Sequence, residues 1–139
     1  MPVEEQDLPQ VKRLLEEANL SCAGIEQHFE HFLKLILDGD LVAVAGLEVY
    51  DTTGLLRSVA VMPEYRHSGL GRGLTKAVIN KARSLGLTDL YLSTETAADY
   101  FYRFGFRTID RQEVCSALQQ SEGLRSLCWE SAVFMHMKP

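Results

Sequence analysis

Cysteine is scarce in this 139-residue chain: Cys22, Cys115 and Cys128 form an odd, scattered set. They do not read as a disulfide framework, and a reducing, cytoplasmic compartment fits them best. Their spacing gives no support to a site for a soft ion, so buried, reduced thiols are the default reading. Long hydrophobic runs are missing as well. No stretch approaches the roughly 20 apolar residues that span a bilayer. The acidic start (Glu4, Glu5, Asp7) has no apolar core of a signal peptide. Positive charge is in deficit: 14 Lys and Arg stand against 19 Asp and Glu, a net charge of −5. A nucleic-acid backbone would be repelled overall, so any anion site must be local. With no repeat, linker or low-complexity tract, residues 1–139 read as a single domain able to bury its own core.

What is present is apolar periodicity with clear punctuation. Asp7-Leu8-Pro9 opens a helix, with Asp7 as its cap, and Val11, Leu14, Leu15 and Ala18 follow at helical spacing. A second short helix is expected over 23–31. From Phe32 the pattern turns strand-like: FLKLIL, a turn at Asp38-Gly39-Asp40, LVAVAGLEVY, a turn at 51–54, then LLRSVAVM, which Pro63 ends. Tight turns between consecutive strands predict an antiparallel meander. Leu70, Leu74, Ala77, Val78, Ala82 and Leu85 mark one face of a helix closed by Gly86. The strand DLYLST, 89–94, should then lie parallel to 55–62 across a right-handed crossover. Thr96 is expected to cap one more helix, closed by Gly105, and 131–137 reads as a last strand. The fold class is α/β with a mixed sheet.

The densest chemical signal is YRHSGLGRG, 65–73, between a strand and a helix. A helix start carries unsatisfied backbone N–H groups and the positive end of the dipole, so it attracts anions. Gly69 and Gly71 remove the side chains that would hold a phosphate off, and Arg66, His67 and Arg72 can add charge-assisted contacts. A Walker A loop is excluded, because Leu74 stands where glycine and lysine are needed. The dinucleotide fingerprint fails on its last spacing. A plain glycine-rich turn is the bland alternative.

The flanking residues extend the pattern. VAVMPEYRHSGLGRGL resembles the acetyl-CoA motif of the GNAT superfamily of N-acetyltransferases, at Val61, Pro63, Arg66, Gly69 and Gly71. FYRFGF, 101–106, is similar to the helix-to-strand segment late in GNAT domains. The resemblance implies a GNAT fold: a mixed, mostly antiparallel twisted sheet with a splayed parallel strand pair and flanking helices. It also implies acetyl-CoA as donor, no metal, and the main chain of Val59, Ala60 and Val61 along the pantetheine arm. Residues Arg66, His67, Ser68, Gly69, Leu70, Gly71 and Arg72 would hold the diphosphate, and a backbone N–H near Val61 would meet the oxyanion.

The family's proton donor, a tyrosine four residues before the glycine of the G-F pair, is replaced by Phe101. Tyr100 and Tyr102 flank it, each about 100° away around a helix, and Tyr102 is the preferred substitute, against a packing role for both. Glu48 and Glu95 are the candidate bases, with proton loss through water as the alternative. Leu55, Arg57, Val59 and Val61 should share one strand face, so Arg57 interrupts an apolar row. It fits either a carboxylate on the acceptor or an internal ion pair with Glu48.

DLPQVKRLLEEANL, LLRSVAV, YLSTETAADYFYRFGFR and SLCWESAVFM resemble a GNAT subgroup encoded with arsenic-resistance genes. LSTETAADYFYRFGF is also similar to the acetyltransferase domain of N-acetylglutamate synthases. These likenesses imply a small amine acceptor with an α-amino-acid head, amino-acid-like organoarsenicals included, and Arg125 and Ser131 as further acceptor contacts. A protein N-acetyltransferase and a non-catalytic CoA-binding sensor are the competing readings. Two more expectations follow: the family's usual first strand is short or missing, and a homodimer covers the open sheet end near 131–137.

Overall fold

The computed structural model describes residues 1–110, 112–113 and 132–139. Four helices are described: α1 (Leu8–Glu17), α2 (Ile25–His28), α3 (Leu70–Ser84) and α4 (Ala98–Tyr102). The strands are β1 (Leu33–Leu37), β2 (Asp40–Tyr50), β3 (Thr53–Val61), β4 (Asp89–Thr94), β5 (Arg107–Ile109) and β6 (Val133–Met137). They form one six-stranded sheet in the order β1-β2-β3-β4-β6-β5. β1, β2 and β3 make the expected antiparallel meander, and β3 pairs with β4 in parallel across α3. Before β1, Pro2 bridges Leu33 and Val3 N–H donates to the Phe32 carbonyl at 2.8 Å, so the expected short first strand is one isolated bridge.

Helices cover the sheet on two sides. α1 buries Val11, Leu14 and Leu15 with Phe32, Val44 and Ala60. On the other side, α3 buries Leu74, Val78, Ile79 and Ala82 with Ala43, Ala45, Leu47 and Leu56. Each large aliphatic chain so buried contributes about 1.5–3 kcal/mol, which is what holds these amphipathic helices to the sheet. Leu85 is not part of the stripe; it sits just past α3 and is 44% exposed. Thr75, fully buried, satisfies its hydroxyl on the Gly71 carbonyl at 2.8 Å.

Several sequence expectations change. Asp7 does not cap α1 with its side chain. It accepts the Glu4 N–H and pairs with the buried Lys34 of β1, tying the helix to the sheet. Thr96 does not cap α4; Thr94 Oγ1 accepts the Ala97 N–H at 3.0 Å, because the chain is still turning off β4 there. The strand near the C-terminus is not the open end of the sheet. β6 lies between β4 and β5, and the short β5 is the edge strand, so a second copy covering that end would meet β5.

The largest departure is inside β3. Gly46 faces Arg57 and Val44 faces Ala60, so Ala45 alone opposes both Ser58 and Val59. This is a β-bulge, and Ser58 takes φ +60° to make it. One extra residue reverses the side-chain phase. Leu55, Arg57 and Ala60 therefore share the α1 side, while Val61, opposite Ala43, lies on the α3 side. The single row of 55, 57, 59 and 61 does not exist.

Candidate active site

Parallel pairing of β3 with β4 runs only over Thr53–Asp89, Gly54–Leu90 and Leu55–Tyr91. Beyond Leu55 the two strands part. The wedge between them opens into a cavity of about 1190 Å³, lined by both strands, the glycine turn, α4 and residues 18–21.

The β3 edge facing this wedge carries usable main chain. Met62 N–H donates to the Val42 carbonyl at 2.8 Å. Neighbouring strand residues present their polar groups to opposite edges, so the Val61 N–H and carbonyl point away from β2, into the cleft. Arg66 Nε occupies that carbonyl at 3.1 Å.

Past β3, a turn of 3₁₀ helix over Pro63–Tyr65 leads into the loop, and Gly69 enters α3 at φ +87°. The first bond inside the helix is Gly73 N–H to the Gly69 carbonyl, 3.0 Å. The amides of Leu70, Gly71 and Arg72 precede it and have no intrahelical acceptor. No side chain caps this end. A Cβ on Gly69 would meet nothing within 4 Å, whereas one on Gly71 would stand 3.2 Å from Val61 Cγ2 and 3.7 Å from the Tyr100 hydroxyl. Gly69 serves its left-handed backbone; Gly71 serves close approach.

Of the residues singled out for the donor, Val59, Ala60, Val61, Arg66, His67, Gly69, Leu70, Gly71 and Arg72 all line the cavity. Ser68 does not, and its hydroxyl donates to the Tyr65 carbonyl within the loop. Arg57 and Glu95 also line it, and Glu95 stands at the exposed end of β4. Glu48 does not. It is fully buried behind Arg57, 2.6 Å from Nη1, and accepts the Tyr50 hydroxyl at 2.5 Å. Arg125 and Ser131, like Cys115 and Cys128, lie outside the described residues.

The tyrosines divide. Tyr102 is 55% exposed, outside the cavity, with the Arg107 guanidinium 4.1 Å above its ring. Tyr100 lines the cavity, its hydroxyl 3.4 Å from Thr75 Oγ1 and its ring edge-on to Phe101 and Phe104. Phe101 is buried in the core, because in this short helix its position points at Phe106. Sequence reasoning missed Ser93 altogether. Its hydroxyl is buried at the cleft with no described hydrogen-bond partner. Strand alternation from Tyr91, paired in register with Leu55, puts Ser93 on the Arg57 side; DLYLST carried the alternation but not that register.

Among the described residues no group of His, Cys, Asp and Glu is arranged to hold a metal, and no helix is long and apolar enough to cross a membrane.

The site is thus a parallel strand pair that splays beside an uncapped, glycine-lined helix start, both opening into one cavity. Residues 3–106 match the model of the acetyltransferase (GNAT) family. The chain belongs to that family, an N-acetyltransferase class whose acetyl donor is acetyl-CoA. An amino-acid acetyltransferase of Pseudomonas syringae pv. syringae is 32% identical over 113 residues, covering 78% of this chain but 26% of the relative. The chain thus spans about a quarter of the length of that relative. In fold, it is similar to N-acetylglutamate synthase from Neisseria gonorrhoeae complexed with coenzyme A and N-acetyl-glutamate (TM-score 0.82, 23% identity, 99% of this chain and 34% of that one). It is similar too to a Mycobacterium tuberculosis protein in complex with CoA (TM-score 0.81, 20% identity, 100% and 98% covered).

Proposed function

We propose that residues 1–139 act as one domain, in the cytoplasm, that moves acetyl from acetyl-CoA to the amine of a small, amino-acid-like acceptor. The observation that carries the reading is continuity. A strand edge at Val59–Val61 that β4 does not pair with and a glycine-lined helix start open into the same cavity. The pantetheine amides would pair with that edge as an added strand does. The diphosphate would sit on the amides of Leu70, Gly71 and Arg72, with Arg66, His67 and Arg72 around it.

The acetyl group then lies in the splay near Val61, whose N–H is aimed to stabilise the oxyanion that forms as the amine attacks. Alignment in the wedge supplies much of the acceleration. The attacking ammonium must first lose a proton, to Glu95 or through water, and the departing thiolate must gain one or leave as the anion. Among the hydroxyl-bearing residues that line the cavity, Tyr100 and Ser93 replace Tyr102 as the proposed source of that proton, Tyr100 because it flanks Phe101 and Ser93 because its hydroxyl is buried with no described partner. Arg125 and Ser131 remain proposed contacts for the acceptor's carboxylate.

The acceptor class rests on relatives named amino-acid acetyltransferases and on the likeness to the arsenic-linked subgroup. Amino-acid-like organoarsenicals are therefore included in the proposal. The test is thiol release from acetyl-CoA against free amino acids, their amides, short peptides, and phosphinate and arsenic analogues. Turnover of free amino acids or analogues, without peptides, is the expected result. Peptide turnover alone would establish a protein acetyltransferase. Tight CoA binding with no turnover at all would establish a sensor.

A further inference from the structure

We propose that residues 18–21 form the wall of the cleft that faces the acceptor, and that Arg57, braced by Glu48, is a positioning residue that fixes this wall and does not itself bind the acceptor. This rests on the reading above that acceptor and acetyl-CoA meet in this cavity.

The wall is the segment between α1 and α2. Ala18, Asn19, Leu20 and Ser21 line the cavity, yet no strand or long helix anchors the residues that follow. Asn19 and Gly24 take φ of +58° and +78°, and Leu20 is 38% exposed. Segments of this kind open at low free energy unless something else ties them down.

Arg57 is the tie. Its Nη1 donates to the Ala23 carbonyl at 2.5 Å and its Nη2 to the Ser21 carbonyl at 3.0 Å. Nε donates to Ser58 Oγ at 2.9 Å, the residue whose left-handed backbone makes the bulge. Nη1 also meets Glu48 Oε2 at 2.6 Å. One planar group therefore joins the cleft wall, the bulge of β3 and an acid on β2. Four of the five N–H donors a guanidinium carries are spent on these partners.

Charge points the same way. The Arg57 side chain is 9% exposed and that of Glu48 0%, so the pair is enclosed and internally neutralised. A guanidinium held by a carboxylate at this distance has little field left for a second one. Glu48 is steadied in turn by the Tyr50 hydroxyl, which lies 3.2 Å from His28 Nε2 on α2. The brace thus runs from α2 through β2 to β3 and back to the segment preceding α2. A lysine would keep the charge but not the fork that reaches two carbonyls and a carboxylate together.

Arg57→Lys in the full chain tests this through three readouts. Amide hydrogen exchange of residues 18–24 should rise about tenfold or more, with α3 and β4 unchanged. Calorimetric affinity for CoA should stay within about threefold of the parent. With L-glutamate and its α-amide as acceptors, KM should rise by the same factor for both, because a displaced wall penalises either. Unchanged exchange at 18–24 would overturn the proposal, as would a penalty confined to the acceptor bearing the carboxylate. If Arg57→Lys does not fold, Tyr50→Phe removes the hydroxyl that supports Glu48 and meets His28, and should raise exchange at 18–24 by a smaller factor; no rise would overturn it equally. Absence of CoA binding in the parent would instead remove the cleft reading, while the exchange arm still decides the clamp.

Discussion

Gly71→Ala isolates the role of the helix entrance from the stability of the fold. The added Cβ would point between Val61 Cγ2, 3.2 Å away, and the Tyr100 hydroxyl, 3.7 Å away, both on the cleft wall. The first contact is tight by a few tenths of an ångström, a strain of order 1 kcal/mol. Alanine recovers about 0.5–1 kcal/mol over glycine within a helix. The two nearly cancel, so the unfolding free energy should stay within about 1 kcal/mol of the parent. Binding should not be spared, because the methyl group stands where a diphosphate must approach the amides. Losing or lengthening one charge-assisted hydrogen bond costs about 1.5–3 kcal/mol, a weakening of roughly 10- to 100-fold. The assay is titration calorimetry with CoA beside a urea unfolding curve. Gly69→Ala is the counterpart: nothing within 4 Å opposes its Cβ, but its φ of +87° costs a non-glycine residue about 1–2 kcal/mol in stability. If Gly71→Ala keeps parental affinity for CoA while folding normally, the diphosphate does not sit on this turn.

The two tyrosines of α4 should separate cleanly: Tyr102→Phe should leave kcat and both KM values within about twofold, whereas Tyr100→Phe should lower kcat or raise KM for acetyl-CoA by about fivefold or more. Equal effects would mean that the exposed ring at 102 reaches the chemistry after all. Asp7 supplies a pH test. Burial pushes its carboxyl up, but the Lys34 hydrogen bond and the Glu4 N–H outweigh this and hold it below its usual 3.8. A depressed folded value stabilises the protein above the unfolded value and is lost as pH falls through the folded one. Urea midpoints should therefore drop as pH falls below about 4, and Asp7→Asn should flatten that limb while costing about 1–3 kcal/mol at pH 7. An acid limb unchanged in Asp7→Asn would show that the pair does not anchor α1.

Much of this protein was legible before any coordinates. Local chemistry writes itself into short stretches: turns at 38–40 and 51–54, the stripe of α3, and a glycine entrance flanked by arginines. These depend on neighbours within about four residues, and both the meander and the crossover follow from them. The motif pair at 61–71 and 101–106 carried the family, and with it the donor. β5 was missed because three residues give no period to read.

What the sequence left open depended on contacts distant along the chain. Arg57 had two readings until the structure set it against Glu48, nine positions away, and against carbonyls 34 and 36 positions away. A single bulged residue, Ser58, reversed the phase of β3 and moved Arg57 to the face opposite Val61. Alternation cannot foresee that, because a bulge is fixed by the partner strand. Helical angle alone could not choose between Tyr100 and Tyr102; the packing of a five-residue helix against Thr75 and Arg107 did. The sequence by itself determined most of the elements and the glycine-lined helix entrance, which are local. Tertiary structure alone decided which side chains face the cleft, because that is set by register between strands and by ion pairs closed across the sheet.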